Sequence, residues 1–294
     1  ISICCVLGYQ WAGMTWLDAI MHMFATMGLG GFSSHDASYG YFNSPAIEAV
    51  AILFMLIAGC NFATHYVVLS GRSLRPYASD PEAGMFLLVT LGSVVGIAIF
   101  LDVHEVYPTF SEALRFSAFN VVSIATTTGF ANTDYALWPF FAPLWMLFLS
   151  SFATSAGSTG GGIKMIRAIV LYKQVYRELA RAMHPNAVHP VKVGNEVVPP
   201  NILFAVLAFG FMYMVCIASM TLILSFSGLE IITAFTAVVA SINNTGPGLG
   251  QVGPANNFSV LTDFQTWVCT FAMLIGRLEI FTLLVVLTPA FWRK

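Results

Sequence analysis

The chain has 294 residues, of which 57% are hydrophobic and only 9% charged, with a formal net charge of -2. Soluble domains carry about 25% charged residues, so the composition excludes a water-soluble globular protein and points to a polytopic membrane protein. Net charge alone decides nothing here; the placement of the charges does.

Ile1 to Tyr9 reads as the end of an apolar segment. With no initiator Met, the sequence reads as a fragment with something membrane-embedded ahead of it. A bilayer-crossing helix needs about 20 mostly apolar residues. Thr15 to Met27 is apolar but too short, and fits a re-entrant helix that stops partway; it runs into Gly28-Leu29-Gly30-Gly31-Phe32. Ala46 to Leu69 and Ala83 to Leu101 are predicted spans. Phe110 to Ala125 is a second short helix, followed by Thr126-Thr127-Thr128-Gly129-Phe130. Pro143 to about Tyr172 is a span interrupted by the run Gly157 to Gly162. Lys173 to Pro200 is the sizeable polar stretch, basic at first and then rich in Pro, Val and Asn. It reads either as a solvated linker or as a docking surface for a soluble regulator. Ile202 to Phe226 is a span, Gly228 to Ile242 a third short helix leading into Asn243-Asn244-Thr245-Gly246-Pro247-Gly248, and Phe264 to Phe291 the last span.

One unit therefore recurs: span, short helix, Gly/Thr/Asn segment, span. Irregular backbone at membrane depth is tolerated only where it is buried in protein or lines a watery path, so three such segments suggest one path built by pseudo-symmetric repeats. Each short helix has an acid near its start, Asp18, Glu112 or Glu230, which is ordinary capping chemistry. The negative carboxyl end of each then points to the membrane centre and favours a cation. Arg72 and Arg75, then Lys164, Arg167, Lys173, Arg177, Arg181 and Lys192, then Arg293 and Lys294, all fall opposite the short helices. That face is cytoplasmic. The other face holds Asp18, Asp36, Asp102, Glu105, Glu112, Asp134, Glu230 and Asp263, with Arg115 its one base, and an acidic mouth concentrates cations. Pores of this kind close with four units, so one unit is expected upstream of Ile1.

A dehydrated potassium ion needs a ring of oxygens to replace its water. Pointing successive carbonyls inward forces some residues toward positive φ, which glycine tolerates. Gly31, Gly129 and Gly246 are placed for this, and Leu29-Gly30, Thr127-Thr128 and Asn244-Thr245 would supply the neighbouring carbonyls. The competing reading is helix-ending turns in a generic transporter. Gly157 to Gly162 is not a phosphate loop: Ile163 stands where the Walker lysine belongs, Met165 follows Lys164, and no strand pattern precedes it. A broken membrane helix fits better, with Ser155, Ser158 and Thr159 satisfying the freed backbone. Arg277 lies in mid-span, where a charge costs at least about 2.5 kcal/mol. Glu279, two positions on, points to another helix face. Arg277 is then either a structural partner of a distant acid or a positive barrier in the ion path. The five cysteines lack metal-ligand spacing and read as small buried hydrophobes. His22, His35, His65 and His104 read as polar packing or surface residues. No nucleophile-base pair or metal cluster suggests an enzyme.

The runs Gly30 to Asp36, Thr126 to Phe130, Gly157 to Lys164, Asn243 to Gly248 and Gly276-Arg277-Leu278-Glu279 spread over nearly the whole chain. Together they resemble the Trk/Ktr/HKT superfamily of potassium transporters. The resemblance implies an all-α membrane protein with pseudo-fourfold membrane-pore-membrane repeats of the potassium-channel type, the first repeat missing. Residues 1–75 would be the second repeat, 76–182 the third with a broken second helix, 183–200 a cytoplasmic linker and 201–294 the fourth. It implies one filter glycine per repeat, carried here by Gly31, Gly129 and Gly246. It makes Gly157, Ser158, Thr159, Gly160, Gly161, Gly162 and Lys164 a gate beneath the filter, with Arg277 its neighbour. Leu29 and Pro247 depart from the potassium-channel pattern, implying a looser ring that admits rubidium and some sodium. The implied function is potassium uptake across the bacterial inner membrane through a gated channel-like pore; the alternative is a secondary transporter coupled to protons or sodium. K+ would be the permeant ion, with no organic cofactor in this chain. The implied partners are a cytosolic nucleotide-binding regulatory ring of the TrkA type, which would hold any nucleotide, and a second copy in a homodimer; no nucleic acid is expected.

Overall fold

The computed structural model describes residues 1–186, 188–194, 196–278 and 280–293. Its helices are α1 (Ser2–Trp11), α2 (Trp16–Met27), α3 (Pro45–Gly59), α4 (Phe62–Gly71), α5 (Arg75–Ser79), α6 (Pro81–Val103), α7 (Phe110–Ala125), α8 (Phe141–Ser150), α9 (Met165–Met183), α10 (Pro200–Phe226), α11 (Ile231–Ile242), α12 (Asp263–Arg277), α13 (Ile280–Leu287) and α14 (Pro289–Trp292). A two-stranded antiparallel hairpin, β1 (Lys192–Val193) with β2 (Glu196–Val197), precedes α10. The protein is an all-α integral membrane protein.

α6 and α10 are long and apolar enough to cross a bilayer, at 23 and 27 residues. Pro81 occupies the first turn of α6, where its missing N–H is harmless, and the Asp80 carboxylate accepts the amides of Glu82 and Ala83. One face of α6, with Phe86, Thr90, Val94 and Ile97, is buried against α7. Leu88, Leu91, Val95 and Ile99 lie exposed on the other, which only a lipid solvent rewards.

Three expected spans are broken. Ala46 to Leu69 divides into α3 and α4, which meet at 97°. The break is supported from outside the helix: Asn61 caps the Ala63 amide, Ser155 N–H donates to the Gly59 carbonyl, and Phe62 N–H donates to that of Gly157. Phe264 to Phe291 divides into α12 and α13, at 111°; α12 ends at Arg277, whose guanidinium donates to a loop carbonyl. Pro143 to Tyr172 is non-helical from Ser151 to Lys164, a longer interruption than the glycine run itself. Within the stretch from 183 to 200, Val191 and Val193 pack against Val170 of α9 and Leu203 of α10.

The short helices α2 and α7 are capped by Thr15 and Thr109, whose hydroxyls accept the amides of Asp18 and Glu112. The threonine is the cap and the acid sits in the first turn behind it. Glu230 is itself the residue before α11, and its side chain makes no capping bond. Cys4 is exposed, unlike the other four cysteines, and all five are free.

Two apolar cores hold the chain. One joins residues from Cys5 to Met165, across α1 to α3 and α6 to α8, together with Leu249; the other joins α10, α11 and α12. Polar contacts stitch them: the Asn243 side chain donates to Ser150 Oγ at 2.9 Å and Ser151 Oγ at 3.3 Å, and Tyr213 donates to Asn243 at 2.7 Å.

Candidate functional site

The three short helices end in the same way. Leu29, Thr127 and Asn244 adopt φ of 49°, 60° and 55°. The next amides, of Gly30, Thr128 and Thr245, reach back to the carbonyls of Ala25, Ser123 and Ala240 at 2.8, 2.8 and 2.9 Å. That is a Schellman ending, in which one left-handed residue lets the chain satisfy the last carbonyls and turn away from the axis. One residue further, Gly31, Gly129 and Gly246 are left-handed again, at 67°, 91° and 99°. Each segment thus alternates left-handed, extended or right-handed, left-handed. The sequence marked the glycines; the left-handed Leu29, Thr127 and Asn244 carry no glycine signal.

The segments converge. Residues 28 to 32, 127 to 129 and 244 to 247 line one cavity of about 700 Å³. They also interlock in order. A Cβ on Gly31 would run into the carbonyl oxygen of Thr128, and one on Gly129 into that of Thr245 and within 3.1 Å of Pro247. Around Gly246 such a Cβ meets nothing within 4 Å. Leu29, Thr127, Thr128 and Thr245 are buried.

Behind the first segment, a buried hydroxyl chain runs from Tyr39 to Tyr9 at 2.7 Å and on to Thr26 at 2.6 Å. The Tyr39 amide donates to the Ala131 carbonyl at 2.9 Å, tying the chain after one segment to that after the next. At the outer end of α2, Ser34 and Thr15 donate to the Asp18 carboxylate at 2.7 Å each, and His35 stands 3.2 Å away. These hydroxyl bonds hold Asp18 below its ordinary carboxylate range. His22 is buried, bonded to the Asp18 carbonyl and Ser33. Among the described residues no group of His, Cys, Asp and Glu could hold a metal.

The glycine run lies directly beneath. Thr159 donates to the Met27 carbonyl at 3.1 Å, and the Gly161 amide to Thr127 Oγ1 at 2.8 Å. A Cβ on Gly160 would come within 3.1 Å of the Thr126 carbonyl, and one on Gly161 would strike that of Asn243. The loop therefore touches the carboxyl ends of all three short helices. Lys164, left-handed at φ 75°, folds its ammonium back onto the Gly160 carbonyl. Gly157 and Gly162 are left-handed too. The expectation that Ser155, Ser158 and Thr159 satisfy the freed backbone holds only in part. Ser158 bonds the Ser155 carbonyl and Thr159 reaches α2, but Ser155 Oγ has no partner. Thr154, Thr127 and above all Glu82 take the loop's polar groups instead. Hydropathy gave no reason to notice Glu82 at the edge of a span.

Arg277 is the last residue of α12 and is exposed, not enclosed in mid-span. Its guanidinium donates to the Thr159 carbonyl at 2.9 Å, so its partner among the described residues is a loop carbonyl and not a distant acid. It lines both the 700 Å³ cavity and a second of about 170 Å³ beside the loop, with Ser158 to Gly162, Lys164, Arg167 and Tyr213. Glu279 and Lys294 lie outside the described residues.

Comparison with known proteins identifies the family and the fold. The TrkH family model, described as a cation transport protein, matches residues 6–294. The Trk system potassium uptake protein TrkH of Salmonella typhimurium is 47% identical over the whole chain. The Trk system potassium uptake protein TrkG of Escherichia coli is 36% identical, also over the whole chain. The chain spans about 60% of the length of each. The crystal structure of the potassium transporter TrkH from Vibrio parahaemolyticus superposes with a TM-score of 0.95 at 43% identity, covering 99% of this chain and 62% of that one. The chain belongs to the TrkH family of cation transport proteins.

Proposed function

We propose that this chain forms most of the pore of a potassium uptake protein of the bacterial inner membrane, and that it catalyses no covalent chemistry. The reading rests on one observation: three left-handed turns, each at the carboxyl end of a short helix, line a single cavity. Residues 1–75, 76–182 and 201–294 are its second, third and fourth units. Leu29, Gly30, Gly31, Thr127, Thr128, Gly129, Asn244, Thr245 and Gly246 supply the oxygens that replace the water of K+. The negative helix ends favour a cation there and reject an anion. Beneath it, Gly157 to Gly162 and Lys164 close the path, and Arg277 adds a positive barrier while holding the loop by its Thr159 carbonyl. The basic cytoplasmic face receives a nucleotide-binding ring of the TrkA type, and the protein works as a homodimer.

Flux in liposomes tests this. Channel-like passage moves K+ or Rb+ down its own gradient with no proton or sodium gradient present. Flux that appears only with a second ion gradient overturns the channel reading in favour of coupled transport.

A further inference from the structure

The Gly157 to Gly162 loop has two feet, and both rest on one atom. Glu82, in the first turn of α6, is 7% exposed. Its Oε1 accepts the Ala156 amide at 3.0 Å and the Ile166 amide at 2.9 Å. Ala156 precedes the glycine run, and Ile166 lies in the first turn of the helix that follows it. Beside these feet the two arms of the loop are joined by Met165 N–H to the Thr154 carbonyl at 2.8 Å and Ile163 N–H to that of Ser151 at 2.6 Å. The backbone that carries Glu82 is itself anchored. Asp80 accepts the Glu82 amide at 2.9 Å and a hydroxyl bond from Thr64 of α4 at 2.8 Å.

The tip is held differently. Thr159 to Met27 and Gly161 to Thr127 are bonds between neutral partners, and the charged donors at the tip, Arg277 on the Thr159 carbonyl and Lys164 on the Gly160 carbonyl, are less deeply buried than Glu82. Bonds to an ionised acceptor are roughly twice as strong as neutral ones, and more so away from water. Feet on a buried carboxylate and a tip whose charged donors stand nearer to water make a flap with a defined hinge.

We propose that Glu82 is a positioning residue: it pins both feet of the loop to the start of α6, so that only the tip swings from beneath the filter. The proposal rests on the reading of the loop as a gate. Without the pin, the whole loop loses its register and the path leaks.

The test uses the full-length protein in liposomes and by hydrogen exchange, comparing Glu82→Ala, Glu82→Gln, and each combined with deletion of Ser158 to Gly160. Glu82→Ala is expected to speed exchange at Ala156 and Ile166 at least tenfold while α7 and α11 stay protected, and to raise basal Rb+ flux several-fold. Glu82→Gln keeps the acceptor and loses the charge, so exchange there rises only about fivefold. In the deletion background, already leaky, neither substitution adds flux. Unchanged exchange at the two feet in Glu82→Gln overturns the proposal, even if Glu82→Ala does not fold. Equal flux gains with and without the loop tip overturn it as well. A deletion that leaves flux at the basal level defeats the gate reading instead, and the exchange data still decide whether Glu82 is the pin.

Discussion

Replacing Gly129 with alanine loads the filter in a way that can be worked out. The residue sits at φ +91°, and a left-handed L-residue costs roughly 1–2 kcal/mol. Its new Cβ would press on the Thr245 carbonyl oxygen and stand 3.1 Å from Pro247 Cδ. Overpacking of this kind costs about 1–3 kcal/mol, giving roughly 2–5 kcal/mol in all. The readiest relief is displacement of the Thr245 carbonyl, an oxygen assigned to the ion. If only about 1.4 kcal/mol of that strain appears as lost preference for potassium over sodium, selectivity falls tenfold. Gly228 is the control: φ is +95° but a Cβ there meets nothing within 4 Å. Gly228→Ala therefore carries the backbone term without the clash. Potassium and sodium fluxes in liposomes, with thermal unfolding in detergent, separate the two. Gly129→Ala should lose at least tenfold in selectivity and Gly228→Ala none. A folded Gly129→Ala variant that keeps its selectivity within twofold refutes the reasoning.

Arg277→Ala removes a positive charge from the cavity and frees the Thr159 carbonyl, so basal Rb+ flux should rise; unchanged or reduced flux in a well-folded variant defeats the barrier role. Arg115→Ala should destabilise the fold. Arg115 grips Glu48 with two bonds of 2.8 and 2.7 Å, and the Glu48 side chain is only 3% exposed. A buried carboxylate left without its partner costs about 3–5 kcal/mol; since the arginine is a quarter exposed, the lower end applies, or a melting point down by roughly 5–10 °C. An unshifted melting curve shows that the pair contributes nothing.

Much of this arrangement is legible in the sequence because membrane chains signal by length. Thr15 to Met27 and Phe110 to Ala125 are too short to span, and a Gly-bearing segment follows each. What the sequence hides is set by distant contacts. Little in Ala46 to Leu69 marks a bend: no Pro interrupts the run, its one acid, Glu48, lies at the start, and only Gly59 and Asn61 flank the break; the turn at Cys60 exists because Ser155 and Phe62 trade backbone bonds across it with Gly59 and Gly157. Arg277 reads as a mid-span charge because the run continues past it, whereas the helix stops there and delivers the guanidinium to a loop. Glu82 gave no signal at all. An acid at the end of a span is ordinary, and its importance comes from two amides some seventy and eighty residues away.

The seating of Gly31 on Thr128 and of Gly129 on Thr245 makes neighbours mutually dependent. Each strand of the ring is the floor on which the one before it stands. A transplanted segment from a distant relative would have to arrive together with its successor, because its shape is complementary to that successor and not to water. In the filter proposed above, ion preference is a property of adjoining pairs, and no single peptide owns it.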